Sequence, residues 1–261
     1  MHSSLVVISW WSNCLGLTCL HKLAKFTQDR PIFVVQVGKS NRQKKLFRQF
    51  LPQNVQELDV ATDAPAEHSR VVSHVIRHQL SSANGLWFVD HDLLLHENWE
   101  PWLKGYDSHF QVLQNCLGLP PTDIHPAITQ PTFWLSPRHF PPDISLDPIP
   151  FQTRQQSRRP DLYPFSGALT MPTKDTLVHA RDLLQEQGRV SYYSFDHFPS
   201  YSHIGGLFLF AGPPIEHPDY QEWQQTTIAQ FVSFFENCPA EWLAIEDSTL
   251  LHRIRTFQKI S

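Results

Sequence analysis

Two continuous apolar runs, residues 5–11 (LVVISWW) and 31–37 (PIFVVQV), flank a segment, 15–26, in which apolar residues recur at helical spacing. This strand–helix–strand order constrains the chain more than any other feature. Runs rich in β-branched residues without polar alternation belong in strands covered on both faces, and a helical crossover between two such strands makes them parallel. Gly38 closes the second run. The expected class is α/β, with a parallel βαβ unit at its start.

The pattern continues to residue 100. Residues 41–50 are basic and helical in pattern, and 55–60 are a third candidate strand. Residues 68–80 set Val71, Val72, Val75, Ile76 and Leu80 on one helical face, which Ser81-Ser-Ala-Asn-Gly85 stops. Leu86-Trp-Phe-Val89 then reads as a short buried strand. Residues 120–164 are proline-rich and irregular, with a strand candidate at 132–135. Helices are expected at 174–187, 228–235 and 242–254, and a mixed aromatic stretch at 190–210. No internal repeat divides the 261 residues, a length near the upper size of one hydrophobic core, so a single domain over 1–261 is expected.

Charge narrows the partners. With 21 basic and 25 acidic residues the net charge is −4, which provides no broad cationic surface for nucleic acid or anionic lipid. No apolar run approaches the roughly 20 residues of a bilayer span, so no integral membrane segment is expected. The four cysteines, Cys14, Cys19, Cys116 and Cys238, lack the two-residue spacing of a zinc or redox motif, which fits a reduced, cytoplasmic compartment. Proline outnumbers glycine 21 to 10, so connections are stiff. Fifteen histidines, eight tryptophans and 18 phenylalanines suit stacking, metal binding or core filling alike.

The candidate site begins where the strand at 86–89 delivers Asp90-His91-Asp92. In open α/β sheets ligands bind beyond the carboxyl ends of the strands. Two Asp residues separated by one residue on an extended segment project to one side, so Asp90 and Asp92 are placed to share a hard cation. Mg2+ or Mn2+ suits carboxylate, water and phosphate oxygens. Isolated, an Asp-x-Asp tripeptide more often caps a turn; the preceding helix, Asn84-Gly85 and apolar strand raise its weight.

Leu86-Trp-Phe-Val-Asp-His-Asp-Leu93, in this order after a βαβ start, resembles the GT-A nucleotide-sugar glycosyltransferases. The resemblance covers the first hundred residues and extends only loosely beyond them. It implies a Rossmann-like N-terminal half, residues 1–100, that binds nucleotide, an acceptor-side half, 101–261, with C-terminal helices, and a mixed central sheet flanked by helices. It implies a divalent metal, Mn2+ or Mg2+, held by Asp90 and Asp92 against a sugar-nucleotide diphosphate. Pro164-Phe-Ser-Gly-Ala-Leu-Thr170 is similar to the strand lining the donor-sugar and acceptor side, which assigns substrate contacts to Ser166 and Gly167. Ser202-His-Ile-Gly-Gly-Leu207 resembles the segment that supplies a histidine ligand, which makes His203 the third metal ligand, with His217 in reserve.

Such a transfer needs the leaving diphosphate neutralised and, in an inverting reaction, a base at the acceptor hydroxyl. Asp196 is the first candidate base and Asp161 the second; either also suits a turn or cap. The nucleotide is expected at the end of the first strand, near Ser9, Trp10, Trp11 and Ser12, with Arg70 and Arg77 as candidate diphosphate or base contacts. The two tryptophans suit the core equally, and the two arginines a solvated face. Arg154, Arg158 and Arg159 sit in a polar loop that is either solvated or a lid. The acceptor is a saccharide, a lipid-linked sugar or a small molecule. Two other functions fit these residues, a metal-dependent phosphohydrolase and a non-catalytic nucleotide- or carbohydrate-binding protein of the same fold.

Overall fold

A computed structural model describes residues 3–27, 30–60, 68–101, 103, 113–115, 132–144, 180, 184, 186–192, 201–204 and 228–258. Strand β1 (Ser4–Trp10) runs into α1 (Asn13–Phe26), β2 (Ile32–Val37), α2 (Asn41–Arg48), β3 (Val55–Glu57) and α3 (His68–His74). Then come β4 (Leu86–Asp90), β5 (Leu93–Leu95), β6 (Leu113–Asn115), β7 (Thr132–Leu135), β8 (Val190–Tyr192) and β9 (Tyr201–His203). Helix α4 occupies 228–236, followed by α5 (Ala240–Leu243) and α6 (Ser248–Gln258). The main sheet has the order β3-β2-β1-β4-β7-β6-β8, and β5 pairs with β9 in a second, two-stranded sheet.

The expected βαβ start is present. β1 lies parallel to both β2 and β4, with Leu5 opposite Ile32 and Trp87. Antiparallel β7 continues the sheet beyond β4, and Phe88 and Phe133, opposite each other, stack with ring centroids 4.9 Å apart. The sheet is therefore mixed, as expected, with a parallel N-terminal half.

Strand periodicity sorts the core into two layers. Leu5 and Val7 of β1 and Trp87 and Val89 of β4 pack with Leu20 and Leu23 of α1 and Phe47 of α2. Val6, Ile8 and Phe88 face the other way, onto Val71, Val72 and Val75. A third cluster joins Cys14 and Leu15 of α1 to Phe231 and Phe235 of α4 and Leu250 and Ile254 of α6. A buried ion pair, Arg30 to Glu100 at 2.8 Å, also ties Ser3 to this body through the Arg30 guanidinium.

Four expectations need correction. The first strand stops at Trp10, because Trp11 turns into the left-handed region at φ 37°. The third strand ends at Glu57, with Leu58 N–H still donating to the Val34 carbonyl at 2.8 Å. The helix at 68–80 is α-helical only to His74 and continues as a π-turn, Val75–Gln79, sealed by Leu80 N–H on the Val75 carbonyl. The helix expected at 242–254 is two helices, because Asp247 caps α6 by accepting from Thr249 and Leu250 N–H at 2.9 and 3.0 Å. The helix expected at 174–187 lies largely outside the described residues.

Gly85 precedes β4 under the Trp134 indole: a Cβ there meets three ring atoms at 2.5–2.7 Å. Trp134 is 2% exposed and has no room to retreat. Gly85→Ala is expected to destabilise the fold by about 2 kcal/mol, read from the urea unfolding midpoint. An unchanged midpoint would contradict this packing.

Candidate functional site

The carboxyl ends of β1, β2 and β4 lie side by side. Ile8 stands opposite Asp90, and Trp10 opposite Val37. β4 ends at Asp90; His91 and Asp92 then form a turn into β5. The extended geometry expected for Asp-x-Asp is therefore replaced by a turn between two strands, and it is the turn that sets the two carboxylates relative to each other. Asp90 is half-buried and Asp92 9% exposed. Both act on one reporter, Cys19 of α1, whose thiol reaches the Asp90 carbonyl at 3.6 Å. Burial pushes the Cys19 thiol well up, and the negative fields of Asp92 and then Asp90 push it further. Two carboxylates thus act on one buried thiol at this corner.

The second sheet brings His203 to this corner. Leu93 of β5 lies opposite His203 of β9, and Ile204 N–H donates to the Asp92 carbonyl at 2.9 Å. The backbone thus places His203 beside Asp92, more than a hundred residues away in the chain. Its side chain lies outside the described part, as do Asp196, Ser166, Gly167, Asp161, His217, Arg154, Arg158 and Arg159. Among the described side chains, no three of Asp, Glu, His or Cys gather as a metal cluster.

At the end of β1, alternation decides which residues face outward. Ser9 shares the parity of Leu5 and Val7 and is fully buried toward α1. Its hydroxyl accepts from Lys39 Nζ at 2.8 Å, and it packs so close to Gly16 that a Cβ there comes within 2.2 Å of Ser9 Oγ. Trp10, half-buried, packs on the α3-side core. Trp11 folds back onto the cluster of α1, α4 and α6, with the Arg253 guanidinium 6.0 Å from its ring. Arg77 has both guanidinium ends engaged, donating to the Pro142 and Ile144 carbonyls at 2.7 Å each. Arg70 is exposed on α3. The backbone sets the strand that carries His203 beside the Asp90–Asp92 turn, while the side chains of Ser9 and Arg77 are held in contacts within the protein and Trp10 and Trp11 pack against the core clusters.

Two residues here escaped sequence reasoning. Glu246, in the turn between α5 and α6, inserts its carboxylate at the N-terminus of α1. It accepts from Ser12 Oγ at 2.8 Å, Asn13 N–H at 2.9 Å and Cys14 N–H at 2.8 Å. These are the donors that a helix leaves unsatisfied, and the carboxylate also complements the helix dipole. Ser12 additionally caps the helix by accepting from Leu15 N–H at 3.2 Å. Lys39 follows Gly38, whose φ of +68° turns the chain after β2. Its ammonium lies 4.2 Å from the Phe47 ring centroid. The only sequence cue was Gly38 at a strand end, a signal for a turn and not for a buried amine.

The sheet order and its mixed strand directions define a GT-A-like fold. The chain shares this fold with the mannosyltransferase PcManGT from Pyrobaculum calidifontis, solved with GDP-mannose and Mn2+ (TM-score 0.50, 10% identity, 94% of this chain and 67% of that one). It is also similar to the galactosyltransferase LgtC, solved with donor and acceptor sugar analogues (TM-score 0.45, 14% identity, 93% and 99%). A third similar structure is a glucose-1-phosphate thymidylyltransferase of Bacillus anthracis, solved with sucrose (TM-score 0.45, 6% identity, 86% and 95%). No protein-family model and no curated protein matches the sequence. Among the described residues no helix is long and apolar enough to cross a membrane.

Burial holds the Lys39 amine down at about 7 from its ordinary 10.5, against the opposing attraction of Glu246. From pH 7 to 10.5 the unfolded chain keeps a proton that the folded chain has released, so this group makes stability rise with pH across that window. The slope approaches about 1.4 kcal/mol per pH unit. Urea unfolding at pH 7, 8 and 9 is expected to show this rise in the natural chain and a flatter dependence in Lys39→Met. Equal slopes in the two would contradict the assignment.

Proposed function

We propose that this chain is a glycosyltransferase that moves a sugar from a nucleotide-sugar donor to a hydroxyl acceptor, with Mn2+ or Mg2+ held by Asp90, Asp92 and His203. The observation that carries the reading is the β5–β9 pairing. It sets the histidine-bearing strand against the acidic turn at the carboxyl edge of a sheet whose fold is shared with a solved nucleotide-sugar mannosyltransferase. Two carboxylates and an imidazole are a suitable donor set for Mn2+.

When bound, such a cation neutralises the charge developing on the departing diphosphate. The chain's own groups do the rest. Asp90 and Asp92 hold the cation at the strand end, and the Ile204 N–H bond to the Asp92 carbonyl keeps the strand that carries His203 alongside. The exposed Arg70 is available for the diphosphate, and the half-buried Trp10 at the end of β1 offers a face on which a base stacks. Ser166 and Gly167 contact the donor sugar or acceptor. Asp196 is the base of an inverting reaction, taking the acceptor proton as the hydroxyl attacks the anomeric carbon. A retaining reaction dispenses with that base.

Calorimetric titration of UDP and GDP in turn, with and without Mn2+, tests the reading, followed by incubation with labelled sugar nucleotides. Metal-dependent binding and sugar transfer or donor hydrolysis are expected. Asp92→Asn is expected to weaken metal-dependent nucleotide binding by about 10- to 100-fold with an unchanged circular dichroism spectrum. Full affinity in that variant, binding indifferent to Mn2+, or phosphate release from simple phosphoesters in place of transfer would each overturn the proposal.

A further inference from the structure

We propose that the groove between α1, α4 and the β5–β9 ribbon is a binding site for an uncharged oligosaccharide, separate from the acidic turn and requiring neither metal nor nucleotide. The groove has a volume of about 900 Å³, inside the roughly 300–1,000 Å³ of sites that take small ligands. Strand alternation supplies one wall. Leu94, Ser202 and Ile204 line it, whereas Leu93, which pairs with His203, belongs to the other face of the ribbon. The groove thus backs onto the ribbon that also carries His203, and it is a different surface from the turn at Asp90 and Asp92.

The remaining walls come from helices that the core holds in place. Thr18 and Lys22 lie one turn apart on α1, and α4 contributes Gln230, Ser233 and Phe234. Trp242 of α5 completes the lining, with the His21 ring 5.0 Å from its own. Behind them, Phe231 and Phe235 commit α4 to the cluster it shares with α1 and α6. Several polar groups are fixed before any ligand arrives. Lys22 Nζ donates to the Leu95 carbonyl at 3.1 Å, Asn237 Nδ2 donates to the Ser233 carbonyl at 2.7 Å, and Ser202 Oγ is hydrogen-bonded to His96 Nε2. Groups held in this way lose little freedom when a ligand binds.

The lining chooses the ligand class. Among its described residues the sole cation is Lys22, already engaged with a carbonyl, and none is acidic, so nothing there rewards a strongly charged ligand. Trp242 and Phe234, both half-buried, offer ring surface against which the C–H face of a pyranose packs. Beside them stand groups that both donate and accept: the exposed Gln230 amide, the half-buried Thr18 hydroxyl, and Asn237, whose Oδ1 is left to accept once Nδ2 is spent on Ser233. A sugar ring has the same division, apolar across its face and ringed by hydroxyls that donate and accept. A lipid tail would strip water from these amides and give nothing back. A nucleotide would bring phosphates that meet a single, partly spent ammonium.

The test titrates the full chain, free of Mn2+ and nucleotide, with maltotriose, cellotriose, mannotriose and triacetylchitotriose in a calorimeter. Saturable binding of at least one is expected, with a Kd at or below about 10 mM. Cys238 supplies a second readout, since it lines the groove and is partly exposed while Cys14 and Cys19 are fully buried. The bound sugar is expected to slow alkylation of Cys238 by iodoacetamide, read by peptide mapping. Replacing two exposed amides together, Gln230→Ala and Asn237→Ala, is expected to weaken binding about tenfold at an unchanged melting temperature, and Trp242→Ala by about tenfold or more. Asp92→Asn is expected to bind the sugar as the natural chain does, which separates this inference from the transfer reading. No binding by any of the four sugars, binding that leaves Cys238 alkylation unchanged, or binding lost in Asp92→Asn but kept in the double variant would overturn the proposal.

Discussion

The carboxylate of Glu246 at the N-terminus of α1 organises much of this molecule. In a βαβ unit that helix end is the natural seat of a phosphate, because free N–H groups and the helix dipole converge there. Here Ser12, Asn13 and Cys14 direct those donors at a side chain from the last quarter of the sequence. The contact joins the first crossover to α5 and α6, and it fills the anion seat from within. A diphosphate at this sheet edge must find its counter-charge elsewhere. Under the proposed function that counter-charge is a divalent cation held by Asp90 and Asp92 at the turn after β4.

One strand shows how packing and function divide along β1. Leu5, Val7 and Ser9 face α1, whereas Val6, Ile8 and Trp10 face the α3 layer. Ser9 is thereby committed to the interior, where Lys39 donates to it and Gly16 leaves the room it needs. Trp11 breaks the alternation with a left-handed φ and swings onto the C-terminal helices. A non-glycine residue in that conformation carries a local cost that the surrounding contacts must offset. The packing of α4 and α6 around Trp11 and the Arg253 guanidinium above its ring supply them.

Legibility in the sequence followed the range of the interactions. The βαβ start, the strand at 86–89 and the acid pair after it are written in local periodicity and were readable directly. The expectation of a nucleotide contact at Ser9 went against that same periodicity, which puts it on the buried face of Leu5 and Val7. The turn at His91-Asp92 was not readable directly, because β5 is only three residues long and is specified by its pairing with β9. Residues Leu93 and His203 meet through a register that no local window contains, and only family resemblance pointed to the histidine. The division of 242–254 turned on Asp247, a capping residue inside an otherwise helical pattern. Glu246 beside it gave no signal, since its role is defined by a helix more than two hundred residues away. The π-turn after His74 likewise left the hydrophobic spacing of 68–80 intact while changing the backbone beneath it.

The central claim is that the acidic turn at the end of β4 and the strand carrying His203 together bind a divalent cation against a nucleoside diphosphate. Anomalous diffraction at the manganese edge, from crystals of the full chain soaked with Mn2+ and UDP or GDP, addresses it most directly. The account predicts one strong peak bonded to Asp90, Asp92, His203 and the diphosphate oxygens. A peak elsewhere, or a diphosphate seated at the N-terminus of α1 in place of Glu246, would contradict it.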